Sequence, residues 1–171
     1  TNMSEKGKVI LPDGTVSEFE SDKTEIQQIA GGAVTINSDT VTQAKKEAKH
    51  TKDALIRIII PYGKRSEITL TDGTRVWLNS GSQFSYPAEF TKGLREVYLS
   101  GEAFFDVAKD QMSPFHVITN EIKVAVKGTR FNVISYANDP TVQTVLISGK
   151  IEAGRKKLFF GAVTLEPGER I

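Results

Sequence analysis

Apolar and polar residues alternate at every second position in a series of short segments along this chain. The alternation runs through residues 67–70, 75–78, 96–99, 122–127, 130–133 and 142–147. A period of two puts one face of each segment against a core and the other toward water, which is the signature of a β-strand. Turn signals separate the segments at short spacing: Asp13-Gly14, Asp72-Gly73, Ser100-Gly101, Lys127-Gly128, Asp139-Pro140, Ser148-Gly149 and Pro167-Gly168. Asp-Gly tolerates the positive φ that a tight hairpin needs. The stretch Leu11-Pro12-Asp13-Gly14-Thr15-Val16 is echoed by Leu70-Thr71-Asp72-Gly73-Thr74-Arg75-Val76, which reads as one turn chemistry used twice. Many short strands with frequent turns predict an all-β, antiparallel β-sandwich (jelly-roll-like) with an N-terminal β-hairpin extension.

One stretch breaks the pattern. Residues 40–52 are polar, basic and without an apolar stripe, and read as a surface loop. That loop divides the chain into an N-terminal hairpin and polar loop (1–54, the hairpin over about residues 7–37) and a sandwich domain (55–171). The end of the chain, from Leu165 to Ile171, is a turn signal of the kind that leads into another strand.

Composition sharpens this reading. Thr, Val and Ile supply 45 of the 171 residues against 9 Leu and 12 Ala, and branching at Cβ favours the pleated sheet. Lys plus Arg (22) nearly cancels Asp plus Glu (21), so a nucleic-acid partner, which calls for a basic excess, is not expected. The absence of cysteine removes disulfides and thiol chemistry. No apolar run approaches the roughly 18–20 residues that cross a bilayer.

Candidate sites are few. The histidines are His50 and His116, and His116 lacks the spacing partners of a metal ligand, so no metal or cofactor is expected. Trp77 is the single tryptophan, and a packed role with Phe84, Tyr86 and Phe90 is expected for it. Glu102 and Asp106 fall on one side of a strand, as an acid/base pair would, or as the solvent face of an amphipathic strand would. At Gly128-Thr129, a hydroxyl after a glycine in a bend could attack the preceding carbonyl and cleave the chain without a cofactor; a turn glycine followed by a strand residue explains the pair equally well. No phosphate-cradling loop, nucleophile elbow or kinase motif is present, so no enzyme acting on another molecule is expected. A carbohydrate-binding sandwich is the alternative, and it would show Trp77 with neighbouring aromatics exposed in a row.

Residues 61–153 carry ordered blocks that resemble one family. They include Leu70-Thr71-Asp72-Gly73-Thr74-Arg75-Val76-Trp77-Leu78-Asn79, Tyr98-Leu99-Ser100-Gly101-Glu102-Ala103-Phe104-Phe105-Asp106-Val107, Pro114-Phe115-His116-Val117, Val126-Lys127-Gly128-Thr129-Arg130-Phe131 and Val145-Leu146-Ile147-Ser148-Gly149-Lys150. The blocks resemble the FecR family of anti-sigma regulators, in its Bacteroidetes form. The resemblance implies the periplasmic fragment of a protein anchored in the inner membrane. Such a protein would relay a signal from a TonB-dependent outer-membrane transporter to an extracytoplasmic-function (ECF) sigma factor held by a cytosolic segment, and so regulate transcription. Some members of the family cleave themselves at a Gly-Thr pair matching Gly128-Thr129.

Overall fold

The computed structural model describes residues 6–41, 54–156 and 158–171. Among these, every regular element is a strand. Strands β1 (Gly7–Ile10) and β2 (Val16–Phe19) form a hairpin, and β3 (Lys23–Gln28), β4 (Val34–Ile36) and β5 (Asp39–Val41) form an antiparallel run. Then come β6 (Leu55–Ile59), β7 (Arg65–Thr69), β8 (Arg75–Leu78), β9 (Gln83–Pro87) and the long β10 (Arg95–Asp106). They are followed by β11 (Phe115–Ile118), β12 (Ile122–Val126), β13 (Arg130–Ser135), β14 (Gln143–Ser148), β15 (Ile151–Arg155) and β16 (Leu158–Leu165). The expected hairpin over about 7–37 is thus two hairpins. Of the loop expected over 40–52, Thr40 and Val41 belong to β5 and residues 42–52 lie outside the described residues.

The strands form one continuous sheet curled on itself, nearly into a barrel, with β10 as the shared spine. The first half of β10 pairs with β9 and β11, and the second half with β8 and β13. The all-β expectation holds, but the jelly-roll-like sandwich is not exact, because one sheet curls nearly into a barrel in place of the two separate layers expected. The sheet is mixed rather than wholly antiparallel, because β3 runs parallel to β7 and β10 parallel to β11. Alternation reports which side of a strand is buried and carries no information on strand direction.

Ser100-Gly101 is a correction of the same kind. The pair reads as a turn, yet β10 passes straight through it for 12 residues. Gly101 has φ of 120° and marks the place where β10 changes pairing partners, so its freedom serves a bend inside a strand.

The Asp-Gly turns form as expected, and alike. The Thr15 amide donates to Asp13 (2.9 Å) and the Thr74 amide to Asp72 (2.9 Å), while both threonine hydroxyls donate to the second oxygen of the same carboxylate. The core lies between the two halves of the curled sheet. Phe105 is its centre, stacked on Phe131 (centroids 5.0 Å apart) and 6.2 Å from both Phe84 and Phe115. All four rings are fully buried, each stabilising the fold by roughly 1.5–3 kcal/mol.

Candidate functional site

The strand period that buries Val76, Leu78 and Phe105 turns Trp77 and Phe104 to the outer face. Register then sets Glu67, Trp77, Phe104 and Asn132 side by side across four strands, β7, β8, β10 and β13. The Trp77 and Phe104 rings are 5.5 Å apart at 54°. This corrects the expected packing of Trp77 with Phe84, Tyr86 and Phe90: Phe84 and Tyr86 are buried on the core side, Phe90 meets Phe115 from its edge, and Trp77 is half-buried outside.

Beside the two rings runs a groove of about 590 Å³. Glu102 sits in it with both oxygens occupied, Oε2 accepting from Asn79 Nδ2 (2.9 Å) and Oε1 from Asn132 Nδ2 (3.1 Å). Asp106 shares the face of Glu102, as alternation requires, and stands 3.7 Å from the Arg130 guanidinium. The two carboxylates therefore face separate partners, amides for one and a cation for the other. Phe104, Asn79 and Asn132 were not singled out from sequence; the outward phase of β10, one residue off Phe105, was the signal for the first.

Gly128 and Thr129 join β12 to β13. Gly128 has φ of 142°, and a Cβ there would lie 2.8 Å from the Lys109 backbone, so this bend accepts glycine alone. Thr129 is buried, and its hydroxyl donates to the Lys150 carbonyl at 3.0 Å. This peptide and His116 line one cavity of about 680 Å³.

The parallel pairing of β10 with β11 places His116 opposite Glu96, with Nδ1 to Oε2 at 3.8 Å, within ion-pairing reach but too long for a hydrogen bond. Among the described residues no three metal-ligating side chains gather, and His50 lies outside them. Burial, helped by Lys123 and opposed by Glu96, holds the His116 imidazolium below its ordinary 6.5. A depressed histidine favours the neutral folded state, so its contribution is complete above pH 6.5 and is lost as pH falls below it. Thermal melts between about pH 7.5 and about pH 5 should therefore show a steeper loss for the wild type than for His116→Gln. Parallel curves would refute this.

Comparison with known proteins gives the site its context. No curated protein matches the chain. Two crystal structures of a candidate anti-sigma factor from Parabacteroides distasonis, at 2.50 Å and 1.65 Å resolution, are each 38% identical to it. They superpose with TM-scores of 0.65 and 0.64, covering 68% and 67% of this chain and 54% and 53% of theirs. The chain thus spans about half the length of the structures it matches. The family model described as FecR protein matches residues 56–152, from β6 into β15, which is more than half of the chain. On that match, over the strands that build the spine and both of its flanks, the chain belongs to the FecR family.

Proposed function

We propose that this chain is the periplasmic sensor part of an anti-sigma regulator anchored in the inner membrane. It receives a signal from a TonB-dependent outer-membrane transporter and relays it to an ECF sigma factor through a cytosolic segment. The observation that carries the reading is the FecR match over residues 56–152, with 38% identity to a candidate anti-sigma factor of the same fold. A relay needs a partner that prefers one state of the domain, since equal affinity for two states shifts nothing.

Sheet edges are where such a partner can add a strand. The outer edge of β14 is already taken: the Thr144 and Ile171 backbones exchange two hydrogen bonds (2.9 and 3.0 Å), and Glu169 accepts from Leu146. Among the described residues, β16 pairs with β15 alone and is the longest remaining edge. Proline at Val163 or Thr164, whichever directs its N–H outward, should weaken capture of the transporter's periplasmic signalling domain and change transcription from a sigma-dependent reporter. If neither changes, strand addition at β16 is wrong. If deleting the whole gene leaves the reporter unchanged, the regulator reading itself falls.

The bend at Gly128 favours one second reading, self-cleavage. The Thr129 hydroxyl would attack the Gly128 carbonyl carbon. A C–O bond forms, the peptide C–N bond breaks, and the freed amine takes the hydroxyl proton; water then hydrolyses the ester. Denaturing mass spectrometry should show two fragments split after Gly128 in the wild type and one intact mass for Thr129→Val. A single mass for both would end the idea.

A further inference from the structure

We propose that the outer-face groove binds a neutral saccharide, with a sugar ring laid against Trp77 and Phe104. The aromatic wall comes first. Both rings stand half-buried on adjacent strands, on a face that a buried core does not explain. Their backs are held: the Arg75 guanidinium lies 4.8 Å from the Trp77 centroid and that of Arg130 5.8 Å from Phe104. Arg75 precedes Trp77 by two strand positions, and Arg130 pairs opposite Asp106, so both cations lie on one side of the ring row. Asn79 and Glu102 lie on the other side and line the groove, which neither Arg75 nor Arg130 does. The rings are thus fixed by cations behind and offer apolar surface in front, which suits the C–H face of a pyranose.

The polar set matches the other chemistry of a sugar. A hydroxyl both donates and accepts, so a saccharide site needs acceptors and donors close together. Glu102 supplies a carboxylate whose two oxygens are already braced by the Asn79 and Asn132 amides, and each of those amides keeps a second N–H. The groove also comes within one charge of balance. Asp22, Glu67 and Glu102 stand against Lys23 and Arg65, which favours neither a strongly anionic nor a strongly cationic ligand. Its volume of about 590 Å³ is that of a small-molecule site. The inference does not depend on the regulator reading, and its failure would leave that reading intact.

Trp77 is the single tryptophan, so intrinsic fluorescence reports this groove directly. The 171-residue chain would be titrated with maltohexaose, xylohexaose, cellohexaose and mannohexaose, each to about 10 mM, which reaches millimolar affinities. At least one should give a saturable change in emission. Phe104→Ala and Glu102→Gln should weaken it at least about tenfold while each keeps a cooperative thermal transition, somewhat lower than that of the wild type. Met112→Ala, on an exposed side chain away from the groove, should bind as the wild type does. The proposal is overturned if none of the four sugars gives a saturable change, or if the groove variants bind as tightly as the wild type.

Discussion

Replacing Arg95 with alanine should lower the unfolding free energy by about 3–5 kcal/mol, the cost of stranding one partner of a buried ion pair. Arg95 is 4% exposed. Its Nη1 donates to Asp72 Oδ2 at 2.7 Å and to the Ala108 carbonyl at 2.8 Å, and its Nε donates to the Ser113 carbonyl at 2.8 Å. The guanidinium also lies 5.4 Å from the Phe115 ring centroid. One side chain thus ties the start of β10 to the β7–β8 turn and to the segment between β10 and β11. Its loss leaves Asp72 without its counter-charge and two carbonyls without a donor. Arg95→Lys should recover little, because a single ammonium cannot reproduce two nitrogens aimed in different directions. Asp72→Ala removes the two turn bonds to Thr74 as well as the ion pair, so the double variant should fall well short of the sum of the two singles. Urea unfolding with an unchanged slope would measure each. A loss below about 1 kcal/mol for Arg95→Ala, the range of an exposed pair, would show that the pair contributes no more than a surface bridge.

Asp72 also shows what was legible and what was not. Its turn was readable because every bond in it lies within a few residues. Its ion pair was not, because Arg95 comes 23 positions later and reaches it only through the topology. Glu96 and His116 tell the same story: no local spacing links them, and a parallel pairing that alternation cannot see sets them together. Trp77 fails differently. Its phase on β8 was readable, and with it the opposite phase of Val76 and Leu78; the error lay in naming its neighbours from proximity along the chain instead of from the facing strand. The family, by contrast, was readable from ordered blocks over residues 61–153, and the matched segment is residues 56–152.

Gly101→Ala should be the other severe change, with an expected loss of about 2–5 kcal/mol, backbone strain and overpacking together. At φ of 120° an alanine is strained wherever it sits, and here it also has no room: its Cβ would come within 2.6 Å of the Ser82 Cα. Ser82 cannot step aside. It is fully buried, and its hydroxyl accepts from the Glu102 amide (2.9 Å) and donates to the Glu102 carbonyl (3.1 Å). These two bonds fix the backbone that aims Glu102 into the groove. Gly93→Ala is the control that separates the two causes. Gly93 also has positive φ, 85°, but its Cβ would meet nothing within 4 Å, so it should lose only about 1–2 kcal/mol from strain alone. The difference between the two variants isolates the close approach of β10 to Ser82. It should be accompanied by a change in Trp77 emission for Gly101→Ala and none for Gly93→Ala, because only the first disturbs the strand that carries Phe104. Equal losses in both variants would mean that Gly101 is kept for its φ alone, and that β10 could cross between its two sets of partners without pressing on Ser82.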